Sequence, residues 1–215
     1  MNLKNELASY LESTLLTPVA RKEAIIELCQ EALAYNFVAV CIHPTYIPLA
    51  ASLLQGSAIK VVTVAGFPLG ANDYRVKAKE AALAVKNGAA EIDMVVNLAA
   101  LKNGEKDIII REVAAVVACG ATIKVIIETG YLTREEVIMA CSCIHEGGAH
   151  FVKSCTGFGP RGVTLEDILL LRSLLPPTIS IKAAAGIKSS SFAAALIEAG
   201  ATRLGTSAAA TIVQK

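Results

Sequence analysis

Several features that would assign this chain to a particular class are missing from its sequence. No run of about 18 uninterrupted apolar residues occurs, which argues against a membrane-spanning helix. The N-terminal segment Met1–Glu6 has no basic stretch followed by an apolar run, so we expect no signal peptide. Neither sign of charge dominates, because 20 Lys and Arg oppose 19 Asp and Glu. This balance argues against nucleic acid as the main partner, and with no apolar span we expect no membrane partner either.

The six cysteines lack the spacing of a disulfide framework. Cys29, Cys41, Cys119 and Cys155 lie in apolar runs, as buried thiols do, which predicts a reducing, cytoplasmic setting. Charged residues make up only 18% of the chain and hydrophobic residues 54%, so we expect a large core rather than disorder. The length of 215 residues predicts a single domain over residues 1–215.

The chain does contain a regular alternation of strand-like and helical patterns. The clear β-prone runs are residues 37–42, 59–64, 91–97, 122–129, the run that begins at Ala149, 179–184 and 202–206. Residues 11–16 are ambiguous between a strand and the end of a helix. Helices are predicted at 2–10, from Pro18, up to about Gln55, at 72–86, 106–119, 133–145, 164–175 and 189–198, and at the C-terminus.

Strict alternation of this kind predicts a parallel sheet with right-handed crossovers. Eight such units close most naturally into a (β/α)₈ TIM barrel, and an open doubly wound sheet is the alternative. One face of the later runs is aliphatic: Ile92, Met94, Val96, Val125, Ile127, Ile179 and Ile181. The other face is largely polar: Glu91, Asp93, Asn97, Lys124, Glu128, Lys153, Ser180 and Lys182. Because an open sheet is covered on both faces and should be apolar on both, this asymmetry favours the barrel.

The polar face places Asp93, Lys124, Lys153 and Lys182 on successive strands that face one lumen. Phe151 and Cys155 should share the face of Lys153. Three ammonium groups with few carboxylates would repel one another and activate one lysine as an amine nucleophile. Lys153 is the best candidate because a glycine-rich turn follows it, with Asp93 and Lys182 moving protons. A salt-bridged interior without catalysis is the alternative.

Three glycine-containing turns close the late strands and lead into helices. They are Gly157–Gly159, Ala185–Lys188 and Gly205–Ser207. Backbone N–H groups at helix N-termini bind phosphate, and the last loops of a TIM barrel often form such a site. Together the turns predict an anion site beside the lysines.

Five segments resemble deoxyribose-phosphate aldolase, a class I family that cleaves 2-deoxy-D-ribose 5-phosphate to glyceraldehyde 3-phosphate and acetaldehyde. They are residues 40–44, 63–70, 91–97, 124–129 and 151–162. The resemblance implies a (β/α)₈ barrel, Lys153 as the Schiff-base lysine, Asp93 in the proton relay and Lys182 as second catalytic lysine. It also implies no metal or organic cofactor, sugar phosphate and aldehydes as partners, and a homo-oligomer. We assign substrate contacts to Cys41, Lys124, Thr156, Gly157, Gly186, Ile187, Gly205 and Ser207.

The chain departs from the pattern of that family in the phosphate-side turns. Ala185 stands where the family usually has glycine, Lys188 where it has arginine, and Ala208 where it has serine. Near the N-terminus Glu12 replaces an expected aspartate. A lost hydroxyl and a lost bidentate fork predict intact chemistry with weaker phosphate binding.

Two further readings stay open at this stage. A Schiff-base aldolase for a different or less phosphorylated aldehyde would account for the altered turns, and a non-catalytic sugar-phosphate-binding barrel is the third possibility. Cys141, Cys143 and His145 resemble a metal cluster, but only Cys141 and His145 would share a helix face, so we expect no metal site there.

Overall fold

The structure is a computed structural model that describes residues 7–214. Eight parallel strands close into a barrel in chain order, which confirms the (β/α)₈ TIM barrel. The strands are β1 Leu11–Leu15, β2 Ala39–Ile42, β3 Lys60–Ala65, β4 Glu91–Val95, β5 Thr122–Ile126, β6 Phe151–Lys153, β7 Ser180–Ala184 and β8 Arg203–Thr206. The ambiguous residues 11–16 therefore form a strand, since β1 is needed to close the barrel against β8.

Helices surround the barrel between consecutive strands. They are α1 Lys22–Tyr35, α2 Ile47–Leu53, α3 Tyr74–Lys86, α4 Leu98–Asn103, α5 Lys106–Val117, α6 Arg134–Glu146, α7 Leu165–Leu174, α8 Ser190–Glu198 and α9 Ala209–Gln214. Capping boxes formed by Thr133 and Thr164 begin α6 and α7, because each hydroxyl accepts a bond from the N3 amide. No helix of the described residues is long and apolar enough to cross a bilayer.

The structure differs from the predicted elements mainly at their ends. The helix predicted from Pro18 begins at Lys22, because Ala20 N donates to Thr17 O at 3.1 Å and closes a turn first. The short helix α4 was not predicted. The predicted helix over residues 2–10 lies largely outside the described residues.

The strand register separates an inner face from an outer one. Asp93 is aligned with Lys124, and Lys153 with Lys182, so these side chains enter the lumen side by side. Closure aligns Glu12 with Gly205 of the last strand. The outward-facing residues of the strands pack with the helices into one large apolar cluster, while a small cluster lies inside the barrel: Leu16, Ala39, Cys41, Val62 and Val64.

Two residues predicted on the polar strand face lie beyond the strand ends, where parity no longer applies. Asn97 is the N-cap of α4. Glu128 follows β5 with a φ of 54° and turns the chain away. Cys155 does not share the face of Lys153, because β6 ends at Lys153 and Cys155 packs in the large outer cluster.

Candidate active site

Asp93 lies at the centre of the charged lumen. Its Oδ2 accepts bonds from Lys153 Nζ at 2.8 Å and Lys182 Nζ at 2.6 Å, and its Oδ1 accepts from Lys124 Nζ at 3.0 Å. Burial opposes ionisation of Asp93, but the three ammonium groups lower its pKa well below the usual value. Asp93 is therefore a carboxylate that two lysines share through one oxygen.

Lys182 is completely buried between two carboxylates. Besides Asp93, its ammonium donates to Glu12 Oε2 from β1. Burial alone would lower the pKa of Lys182, but the charges of Asp93 and Glu12 raise it above the usual value. Lys182 is therefore a fixed cation beside Lys153.

A second charged layer lies beneath these groups. Arg203 donates to Glu12 Oε1 at 3.0 Å and to Glu91 Oε2 at 3.2 Å, and Lys124 reaches Glu91 at 2.5 Å. Burial disfavours the Glu91 carboxylate, but Lys124 and Arg203 outweigh it and lower the pKa of Glu91 to about 2. The ring of Phe151 lies 5.8 Å from the Lys124 ammonium and 5.6 Å from the Arg203 guanidinium.

The expectation that the lumen holds few carboxylates is wrong. Glu12, Glu91 and Asp93 alternate with the cations, so opposite charges are adjacent throughout the lumen. Glu12 was missed because the β1 region was ambiguous in the sequence. Glu12 and Thr14 are two positions apart, so both would have been placed on the inner face once β1 was accepted as a strand.

A cavity of about 320 Å³ opens above Lys153 at the C-terminal ends of the strands. Six residues predicted to contact substrate line it: Thr156, Gly157, Gly186, Ile187, Gly205 and Ser207. Lys153 lines it as well, whereas Lys124, Lys182 and Arg203 do not. Of the lumen cations, Lys153 is therefore the one that a ligand in this cavity meets.

Two predicted substrate residues lie below the cavity instead of lining it. Lys124 is enclosed by its three carboxylate partners. Cys41 is fully buried with Sγ 3.9 Å from Asp93 Oδ2, and burial raises the pKa of its thiol to about 11. Both residues therefore contact charged groups of the lumen rather than the open space.

One part of the cavity wall was not predicted: Thr14, Leu16 and Thr17 from the end of β1 also line the cavity. Phe158, Lys188 and Thr206, which line it too, lie in the three turns predicted to form the anion site. Closure of the barrel brings the end of β1 beside β8, and no local pattern shows this adjacency.

His43, Phe67 and Phe158, which we call the aromatic wall, form a row of ring contacts that reaches the cavity through Phe158. The rings of Phe67 and Phe158 meet edge to face with centroids 5.5 Å apart, and those of His43 and Phe67 are 6.4 Å apart. His43 Nε2 is 2.9 Å from Leu16 O, which ties the wall to the end of β1.

The turn after Lys153 is built around the buried carboxylate of Glu128. This side chain accepts bonds from both the backbone N–H of Thr156, at 3.1 Å, and its hydroxyl. A Cβ on Gly159 would lie 2.6 Å from the Glu128 carboxyl carbon, so a side chain there would displace this buried carboxylate. Glu128 thereby shapes the turn that follows Lys153.

Gly205 and Ala185, at the opposite side of the cavity, are small residues in two different structural settings. A Cβ on Gly205 would lie 2.9 Å from Lys182 Cε, so glycine leaves room for the lysine stem. Ala185 adopts a φ of 76°, a left-handed conformation that favours glycine. The strained residue is thus the one that stands where the resembled family usually has glycine.

Potential metal ligands come together at one place in the described part of the chain. This place is formed by Glu12, Cys41 and Asp93, whose ligand atoms lie within 4.8 Å of one another. Cys141, Cys143 and His145 do not form such a group. Both carboxylates of this group already pair with lysines, so the donor set does not fit a cation. The six cysteines are all free thiols, as expected.

The fold and the lumen define a class: a (β/α)₈-barrel enzyme that presents a buried lysine, paired with an aspartate, to a cavity at the strand ends. The chain belongs to the DeoC/LacD family of aldolases, whose profile matches residues 11–212.

Relatives cover almost the whole chain. A deoxyribose-phosphate aldolase from Thermococcus gammatolerans (strain DSM 15229 / JCM 11827 / EJ3) is 48% identical over 97% of this chain and 96% of its own length. A deoxyribose-phosphate aldolase from Geobacillus sp. (strain WCH70) is 46% identical over 99% of this chain and 96% of its own length. The tetrameric deoxyribose phosphate aldolase from Aeropyrum pernix superposes with a TM-score of 0.91 at 32% identity, over 98% of this chain and 91% of that one.

Proposed function

We propose that this enzyme is a class I aldolase that reversibly cleaves 2-deoxy-D-ribose 5-phosphate to D-glyceraldehyde 3-phosphate and acetaldehyde. The observation that supports it most directly is the position of Lys153, which lines the cavity and donates to the oxygen of Asp93 that Lys182 also contacts. The relatives at 46–48% identity carry the same activity in their names.

Lys153 is the proposed nucleophile. Its neutral amine attacks the aldehyde carbon of the open-chain sugar, and loss of water from the carbinolamine gives an imine. A proton lost by Lys153 has an acceptor at once, because Asp93 Oδ2 lies 2.8 Å away. The imine then takes up the electron pair of the C2–C3 bond when that bond breaks.

Asp93 and Lys182 are the proposed proton-handling groups. Cleavage requires removal of the C3 hydroxyl proton and later delivery of a proton to C2 of the enamine. A water above Asp93 is suited to the first task, since the carboxylate is ionised and close to the nucleophile. Lys182 stabilises that carboxylate as a fixed cation. The proton taken from the C3 hydroxyl then returns through the same water to C2 of the enamine.

The phosphate is proposed to lie at the far side of the cavity, among the late turns. Gly157, Gly186 and Ser207 line this side, and Lys188 adds a positive charge. Because Lys188 offers a point charge rather than a fork and Ala185 is strained, we expect a weaker grip than an arginine and glycine would give. Because Lys188 and Ala185 predict this weaker grip, a less phosphorylated aldehyde is the second candidate substrate.

Borohydride trapping tests the proposal. Incubation with acetaldehyde and borohydride should add an ethyl group to Lys153 and leave Lys124 and Lys182 unlabelled, as read by peptide mass spectrometry. Label on Lys124 or Lys182 would reassign the nucleophile. Absence of label together with absence of turnover of 2-deoxyribose 5-phosphate would reject the aldolase function and favour a sugar-phosphate-binding barrel.

The setting of the enzyme completes the proposal. We infer a cytoplasmic homo-oligomer, because six free thiols suit a reducing compartment and the Aeropyrum pernix relative is tetrameric. Light scattering of the purified chain measures the oligomeric state directly.

A further inference from the structure

A second buried lysine–carboxylate pair lies outside the lumen and has no part in the chemistry above. Lys77 on α3 and Glu112 on α5 are in direct contact, with side chains 0% and 1% exposed. Desolvation offsets much of the attraction in such a pair, so stability alone is a weak reason for it. Lys77 shares its helix face with the alanines Ala81 and Ala84, which leave space for its long stem.

The pair connects two loops at the mouth of the barrel. Lys77 Nζ donates to Gly70 O at 2.6 Å, in the β3–α3 loop, and to Val95 O at 2.9 Å, at the end of β4. Glu112 Oε2 accepts from Asn97 N at 2.9 Å, in the β4–α4 connection. Backbone groups of both loops are thus satisfied by one ion pair.

The β3–α3 loop is folded around the lysine stem. Gly66 has a φ of 62°, and a Cβ there would lie 2.7 Å from Lys77 Cε. Gly66 N donates to Glu80 Oε2 at 2.7 Å, and Gly70 N donates to Gly66 O at 2.8 Å. The path of residues 66–70 therefore depends on where Lys77 lies.

This loop carries Phe67 of the aromatic wall. Phe67 packs on the apolar cluster inside the barrel and meets Phe158, which lines the substrate cavity. Lys77 also donates to the carbonyl oxygen of Val95, two residues after Asp93 on β4. The pair consequently contacts the supports of both the wall and the catalytic carboxylate.

We propose that Lys77 and Glu112 are positioning residues that hold Phe67 against Phe158 and so set the apolar side of the substrate cavity. The inference rests on the proposed aldolase function. Burial lowers the pKa of Lys77 and raises that of Glu112, but either placement of the proton keeps the two side chains bonded.

A double-mutant cycle tests whether the pair acts through the wall. Lys77→Met and Phe67→Ala are made singly and together, and kcat and KM for 2-deoxyribose 5-phosphate are measured beside the rate of acetaldehyde trapping. We expect Lys77→Met to lower kcat/KM by about tenfold, since misplacement of a cavity wall by a fraction of an ångström costs rate. The double variant should be no worse than Phe67→Ala alone, because the lysine then has no ring to position.

The rate of imine formation with acetaldehyde distinguishes a misplaced cavity wall from a general loss of active enzyme. This two-carbon aldehyde needs little of the wall, so Lys77→Met should slow its trapping on Lys153 much less than it slows sugar phosphate cleavage. Equal losses in both assays, or losses that multiply in the double variant, would overturn the inference. A wild-type enzyme that traps no acetaldehyde would instead reject the proposed function.

Two further variants keep the test decisive if Lys77→Met does not fold. Lys77→Met with Glu112→Leu removes both charges, and an apolar pair of similar volume is expected to retain stability. It should show the kinetic loss of the single variant, and unfolding of this variant would identify the pair as a stability element and overturn the inference. Lys102→Met is the matched control, because Lys102 also contacts a carboxylate, Glu136, and a backbone carbonyl, but is half-exposed. Its kinetics should equal those of the wild type.

Discussion

The charged lumen and the loop-lined side of the same cavity, where we propose that the phosphate binds and which we call the phosphate side, are built in opposite ways. In the lumen, buried side chains on strands meet one another, as Lys182 does with Glu12 and Asp93. At the phosphate side, loops line the cavity with backbone and small residues such as Gly186, which is exposed. In the proposed mechanism the strands hold the reacting groups, whereas the loops contact the ligand.

The two constructions respond differently to substitution. Removing one partner of a buried ion pair leaves an uncompensated charge, which costs about 3–5 kcal/mol. Losing one hydrogen bond to a charged ligand group costs about 1.5–3 kcal/mol, and neighbouring N–H groups can replace part of it. Lumen variants should therefore change rate and folding, and loop variants should change affinity.

Lys153→Arg should have the largest effect. Arginine keeps a positive charge near Asp93 but stays protonated and cannot form an imine, so turnover should fall by about 10³-fold or more. Steady-state rates and borohydride labelling measure it, with Lys102→Met as control. Turnover within tenfold of the wild type would show that the nucleophile lies elsewhere.

Lys182→Leu should move the pH profile of imine formation. The Lys182 ammonium contacts Asp93 Oδ2, the same oxygen that accepts from Lys153, and it also pairs with Glu12. Without this cation, imine formation should be slower at neutral pH, and its pH profile should move to higher pH. Lys182→Arg should keep the profile while slowing proton transfer. An unmoved profile in Lys182→Leu would mean that the paired lysines are not an activation device.

Glu91 should make the lumen sensitive to acid. Its folded pKa is lowered from 4.5 to about 2, so its contribution is fully present above the unfolded pKa and is lost as pH falls from about 4.5 towards 2. The contribution is at most about 3 kcal/mol. Glu91→Gln should be less stable at pH 7 and lose less stability on acidification, as measured by urea unfolding at several pH values. Glu27→Gln, at an exposed position on α1, is the control, and parallel pH curves for wild type and Glu91→Gln would contradict the assignment.

The smallest effect is expected at the phosphate side. Ala185→Gly relieves a left-handed alanine and should stabilise the fold by about 1 kcal/mol. Together with Ala208→Ser it should lower KM for the phosphorylated sugar several-fold, at unchanged kcat. Calorimetry and kinetics with phosphorylated and unphosphorylated sugar measure the two effects. Equal KM in the parent and the reverted enzyme would show that these turns do not contact the phosphate.

The strand pattern by itself predicted the core of this enzyme. Period-two alternation placed Asp93, Lys124, Lys153 and Lys182 in one lumen, because each lies inside a strand whose neighbours alternate apolar and polar. The same reasoning failed at Cys155 and Glu128, since both lie after the last paired residue of their strands.

Only the tertiary structure decided how the lumen charges are balanced. Glu12 and Arg203 are 191 positions apart, yet closure of β1 on β8 brings them to 3.0 Å and completes the ion-pair network around Lys153 and Lys182. The contact of Lys77 with Glu112 likewise depends on the packing of α3 against α5. Local patterns determine which face of a strand a residue occupies, but pairing between distant elements depends on barrel closure and helix packing, which no short stretch of sequence encodes.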